Sequence, residues 1–138
     1  ATNPNSPQGP LNKIASGGEL ARFMLALKVN LAQSSSVATM IFDEVDAGVG
    51  GATAQAVGER LARLARDVQV LVVTHSPQVA ACGNNHFKVE KSTAGNVTTT
   101  TVRELTKIEK SEEIARMLAG EVITDAARAA AKVLIGAE

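Results

Sequence analysis

The sequence has no tryptophan, no tyrosine and a single cysteine, Cys82. Three phenylalanines are its only benzenoid side chains. An interior must therefore be assembled from Val, Leu, Ile, Ala and Met, and packed by shape rather than by ring stacking. One thiol excludes an internal disulfide, which fits a reducing, cytoplasmic compartment. Excess charge is also missing, because 14 basic residues balance 14 acidic ones. That balance excludes a general electrostatic pull toward nucleic acid or an anionic membrane. Any DNA contact has to be local, or be made by other parts of the protein. No apolar run nears the roughly 20 residues of a bilayer-spanning helix, so no membrane partner is expected. Residues 1–10 have neither a basic nor an apolar signal-peptide region and read as an extended loop rich in Asn, Pro, Ser and Gly. The first residue is Ala1, not Met, and a piece of a longer protein is expected. What remains is ample for a core: 45% of 138 residues are hydrophobic, the size of one domain. No repeats and no internal domain boundary are read from the chain.

Hydrophobic periodicity divides the chain into alternating elements. Residues 16–34 carry Leu20, Phe23, Met24, Leu27 and Leu31 at helical spacing. Ser16-Gly17-Gly18-Glu19 before them has the form of a capping box. Val37 to Phe42 is a short apolar run of the kind found in a parallel strand buried on both faces, and Val68 to Val73 is a second. Between them, Ala52 to Arg66 reads as an amphipathic helix with Val57, Leu61 and Leu64 inward and Glu59, Arg60 and Arg63 outward. Ser76-Pro77 opens a short helix reaching Ala81, since proline suits the first helical turn. The spacing predicts a hairpin from His86–Lys91 and Val97–Glu104 around Ala94-Gly95-Asn96. It also predicts helices over Ser111–Leu118 and Thr124–Ile135, each with a plausible N-cap residue. Strands alternating with helices make the fold class α/β.

Four features carry chemistry. The serine and glycines of Ser16-Gly17-Gly18-Glu19 sit where a helix start presents unpaired N–H groups and a positive dipole end, a good place for a phosphate. The plainer reading is a capped helix. Asp43-Glu44 ends the first strand, at the edge where open α/β sheets gather ligands. Neighbouring strand side chains point to opposite faces, so one acid can serve a cation while the other faces an attacking water. A solvated strand end is the alternative. The loop from Val45 to Gly51 holds Asp46 among glycines. It fails as a dinucleotide fingerprint, because Thr53 stands where the last Gly or Ala belongs and the next strand closes with Thr74-His75 rather than an acid. Finally, His75 ends the second strand. If the strands are parallel, it leaves the sheet beside Asp43 and Glu44, where an imidazole can reach a phosphate oxygen. Cys82 and His86 are close to it in sequence, but their irregular spacing without Cys-x-x-Cys argues against a metal site.

The order of these features resembles the ATP-binding-cassette ATPase superfamily: an SGGE-headed helix, a strand ending in Asp-Glu, an Asp two positions on, then a strand ending in His. Glu19 in place of the glutamine usual in transporters is similar to the SMC-like chromosome and repair ATPases. Three longer stretches point to a bacterial DNA-repair member of that branch: residues 13–22 (KIASGGELAR), 42–51 (FDEVDAGVGG) and 73–81 (VTHSPQVAA). Ala21, where many relatives have Ser, is a small departure. The resemblance implies the C-terminal half of a P-loop NTPase head of the cassette type, a largely parallel sheet flanked by helices, spanning 1–138. Its cofactors would be ATP and Mg²⁺. Ser16, Gly17, Gly18 and Glu19 would form the signature that caps the γ-phosphate of a nucleotide on the opposite head. Asp43 would support Mg²⁺, Glu44 would activate or orient water, His75 would contact the γ-phosphate and Asp46 would bridge the two sites. No G-x-x-x-x-G-K-[ST] and no heptad run occurs in this sequence. The implied partners are therefore an N-terminal P-loop half of the same protein, a second head in an ATP-sandwiched homodimer, and DNA through the full-length protein. Without its partner half the fragment is expected to be inactive and poorly soluble, its sheet edge open. The implied location is cytoplasmic and nucleoid-associated. A head from another SMC-like or transporter ATPase, or a non-hydrolysing module of the same fold, are the alternatives.

Overall fold

The strand expected first in the chain forms over Thr39–Asp43 (β1), and it lies parallel to Gln69–Val73 (β2). A computed structural model describes residues 37–95 and 97–136; the helix expected over 16–34 and the extended loop over 1–10 lie outside them. Thr39 stands opposite Gln69 and Asp43 opposite Val73, in unbroken register. A parallel pair requires a crossover, and the helix Gly51–Leu64 (α1) supplies it. Its Ala54, Val57, Leu61 and Leu64 are buried together with Phe42 of β1 and with Val79. Met40, Val70 and Val72 pack against that cluster. Glu59, Arg60 and Arg63 face outward as the period of the sequence requires.

One expectation is corrected by this packing. The apolar runs predict strands buried on both faces, but burial alternates along them. Phe42 is 3% exposed while Ile41 is 70% exposed, and Leu71 and Val73 are also open. Side chains alternate across a sheet, and α1 covers one face only. The apolar run recorded two apolar faces, not two covered ones.

The described fold divides into two compact units, the first ending at Val79 and the second running from Ala80. The short helix Pro77–Ala81 (α2) spans that point in sequence. In the second unit an antiparallel hairpin pairs Phe87–Ala94 (β3) with Val97–Glu104 (β4). Two helices follow, Lys107–Ala119 (α3) and Asp125–Ile135 (α4). They meet through Ile114, Ala115, Ala127 and Ala131, all buried with Ala81. Alanine at these positions lets the two helix axes approach closely. Helix α4 begins after Thr124, whose hydroxyl accepts the N–H of Ala127, and ends at Gly136 in the left-handed conformation, the region glycine enters without steric cost.

Helix α3 starts one turn earlier than the Ser111 read from the sequence. Thr106 is the cap. Its hydroxyl accepts the Glu109 N–H, and the Glu109 carboxylate accepts the Thr106 N–H at 2.8 Å. Those Thr106 backbone and hydroxyl bonds, with Arg103 at 2.6 Å, hold the Glu109 carboxyl at about 2. Further along α3, Glu113 is buried but paired with Lys88 at 3.1 Å and Arg116 at 2.5 Å. Burial pushes its carboxyl up, and the hydrogen bonds from Arg116 and Lys88 outweigh burial and hold it low.

Candidate nucleotide site at the sheet edge

Parallel pairing decides where the chemistry-bearing residues emerge. Because Asp43 is level with Val73, the chain leaves both strands at the same edge, and Glu44 and Thr74-His75 follow directly. The Glu44 N–H donates to the Val73 carbonyl at 3.0 Å, carrying the pairing one residue beyond the strand. There the backbone turns sharply. Glu44 has φ +47°, the only non-glycine residue with positive φ among the described residues. This left-handed conformation costs about 1–2 kcal/mol for a side chain with a Cβ, and such outliers cluster at functional sites. Two overlapping turns follow: the Ala47 N–H donates to the Glu44 carbonyl at 2.9 Å, and the Val49 N–H to the Asp46 carbonyl at 3.1 Å.

Within this edge the side chains separate into two sets. Asp43, Glu44 and His75 are exposed. Asp46 is 2% exposed. Its carboxylate turns into the first unit. Burying a carboxylate is costly unless hydrogen bonds replace its water. The Thr74 hydroxyl donates one such bond to Asp46 Oδ2. Oδ1 is buried and has no hydrogen-bond partner among the described residues. The Thr74 oxygen in turn accepts the Ser76 N–H at 2.9 Å, and the Ser76 hydroxyl donates to Gln78 Oε1 at 3.0 Å.

The structure thus gathers Asp43, Glu44, Asp46 and His75 around one edge. Ser16, Gly17, Gly18 and Glu19 lie outside the described residues. Sequence reasoning missed Thr74 and Ser76, although a polar Thr-His-Ser run closing an apolar strand was the available signal. Among the described residues no group of three or more His, Cys, Asp or Glu side chains is placed to hold a metal ion. Mg²⁺ would need only one or two carboxylates, with water and phosphate oxygens in its remaining positions, and Asp43 is exposed at the strand end.

The chain is similar to curated DNA repair proteins. No family model matches the chain. RecN of Rickettsia felis is 49% identical to it over 98% of its residues, RecN of Streptomyces coelicolor 51% over 98%, and RecN of Xylella fastidiosa 50% over 98%. The chain is RecN-like. It spans about a quarter of the length of these curated relatives, 25%, 24% and 24% respectively. The fold agrees with solved SMC ATPase heads. One SMC ATPase structure superposes with a TM-score of 0.61 at 19% identity, over 80% of this chain and 66% of its own. The Smc head domain of Pyrococcus yayanosii, with its coiled coil and joint, also gives 0.61 at 22% identity, over 74% of this chain and 19% of its own. The RecN-like segment therefore has the α/β fold of a P-loop NTPase head. No helix among its described residues is long and apolar enough to cross a membrane.

Proposed function

We propose that this RecN-like segment is the C-terminal lobe of an ATPase head acting in DNA double-strand break repair, and that it supplies the hydrolytic edge of an ATP site. The observation that carries the reading is the in-register parallel pair, which delivers Asp43, Glu44 and His75 to one edge of one sheet. Glu44 accepts a proton from the attacking water or orients it; a positioned carboxylate contributes some 10²–10⁴-fold in such steps. Its left-handed backbone sets the direction in which the side chain leaves the chain. His75 donates a hydrogen bond to a γ-phosphate oxygen, stabilising charge that builds during transfer. Asp43 would hold the cation, and Mg²⁺ when bound would offset charge on the phosphates. Ser16, Gly17, Gly18 and Glu19, as the signature motif of the resemblance, would cap the γ-phosphate of a nucleotide on a second head. The loop carrying Asp46 faces that second head.

The segment needs partners. Ile41, Leu71 and Val73 form an uncovered apolar face on the sheet, which favours completion by a further layer, the N-terminal P-loop half. The SMC ATPases of similar fold undergo ATP-driven dimerisation and DNA-stimulated activation, and the same cycle is proposed for the complete RecN-like protein. The lobe alone is expected to be inactive. Glu44→Gln in the complete protein tests the reading. Hydrolysis should fall at least ~100-fold, ATP should still bind, and head dimers should live longer in sedimentation. Near-normal turnover in that variant counts against the site.

A further inference from the structure

We propose that Thr74 is a positioning residue that latches the loop carrying Asp46 to the turn carrying His75, so that the two move as one. The inference rests on the reading of Glu44 and His75 as hydrolytic groups. A hydroxyl has one proton to donate and two lone pairs. Thr74 uses the proton on Asp46 Oδ2 and a lone pair on the Ser76 N–H at 2.9 Å. Those two bonds lie on either side of His75 in the chain, one through the residue before it and one through the residue after it. The β-branched side chain restricts rotation about χ1, so the hydroxyl is a stiff link.

The other end of the latch is equally constrained. The Asp46 carbonyl holds the Val49 N–H at 3.1 Å, and the turn before it begins at Glu44, whose N–H is tied to Val73 at 3.0 Å. Glu44 and His75 are thus connected by the strand pairing on one side and by the Thr74–Asp46 bond on the other. Asp46 Oδ1 has no partner among the described residues, so Thr74 supplies the one hydrogen bond recorded for a carboxylate 2% exposed. A buried acceptor that loses its donor must move toward water or remain unpaired at a cost. Removing the hydroxyl therefore displaces the loop, and a displacement of the loop is passed to His75.

Steady-state ATP hydrolysis by the complete protein tests this. Thr74→Val, nearly isosteric but without a hydroxyl, should lower kcat at least tenfold while leaving the KM for ATP within twofold. Thr74→Ser should restore kcat to within threefold of wild type. Thr74→Val combined with Asp46→Ala should be no more than twofold slower than the slower single variant, since both remove the same bond. The latch is overturned if Thr74→Val turns over within twofold of wild type, if Ser is as slow as Val, or if the two losses multiply. Should Thr74→Val fail to fold, Asp46→Asn and Asp46→Ala decide the matter. Asn keeps an oxygen for the hydroxyl and should retain activity within fivefold, whereas Ala should lose it; equal losses overturn the proposal. Glu44→Gln run in parallel separates the two levels. A dead Glu44→Gln with a normal Thr74→Val removes the latch alone, while an active Glu44→Gln removes the site and the latch with it.

Discussion

Among the described residues two carboxylates are buried, one in each unit, and they are treated differently. Glu113 in the second unit is 8% exposed and has two cations on it, Lys88 and Arg116. Asp46 in the first unit is 2% exposed and has one neutral hydroxyl on Oδ2, with Oδ1 unbonded among the described residues. A buried charge is tolerated when it is paired and hydrogen-bonded. Glu113 meets that condition inside its own unit and ties the hairpin to α3. Asp46 meets it by half, beside a strained Glu44 and the exposed Asp43 and His75 at the sheet edge. The contrast separates a carboxylate that holds structure together from one poised for an additional donor. Among the described residues, the unbonded Asp46 Oδ1 and the strained Glu44 backbone lie two residues apart in the first unit, where chemistry is proposed.

If the first unit draws its stability from apolar packing rather than from Asp46, the largest effect should come from its core. Leu61→Ala empties a site 3% exposed between helix and sheet and should cost about 2–5 kcal/mol in denaturant unfolding. A loss under 1 kcal/mol would mean that α1 is not the keystone of that unit. Glu113→Ala sharpens the other side of the comparison. Its cations are 28% and 48% exposed and can rehydrate, so the loss should be about 1–2 kcal/mol, below the full cost of breaking a buried pair. Hydrolysis by the complete protein should be unchanged, and a drop in kcat would erase the distinction between the two carboxylates. Thr106→Ala removes the α3 cap and should cost about 1 kcal/mol, read as faster amide exchange in the first turn of α3.

The smallest effect is on pH. His86 is half-buried in the second unit. Burial lowers its pKa from 6.5; Glu113 pulls it back up and Lys110 pushes it further down. The unfolded imidazole therefore takes a proton at higher pH than the folded one. As pH falls below about 6.5 the unfolded state binds the proton first, so stability declines until the folded imidazole also protonates. Above that window the contribution is fully present. Unfolding curves between pH 7.5 and 5.5 should show this decline, and His86→Phe should flatten it. A slope of unchanged size in His86→Phe would assign the pH dependence to other groups.

Much of the first unit was legible in residue order. The runs ending at Phe42 and Val73 predict strands, and the period of Val57, Leu61 and Leu64 predicts the inward face of α1. A strand–helix–strand unit joined by one crossover implies parallel strands, which puts Asp43 and His75 at one edge. Helix α3 begins before the Ser111 start that the apolar period predicts, although its signal is local. Thr106-Lys107-Ile108-Glu109 is itself a capping box. Thr74 escaped notice because its importance depends on a partner 28 residues away.

By itself the sequence determined which elements form, their order, and the pattern similar to RecN, because helical and strand periods and motif spacing are local properties of the chain. Tertiary structure decided the rest. It set which apolar face of the sheet is covered, that Glu44 enters the left-handed region, and that Asp46 turns inward to Thr74. Each of these depends on what another segment brings to the same place, and no local pattern encodes the competition between burial, hydrogen bonding and strain that settles it.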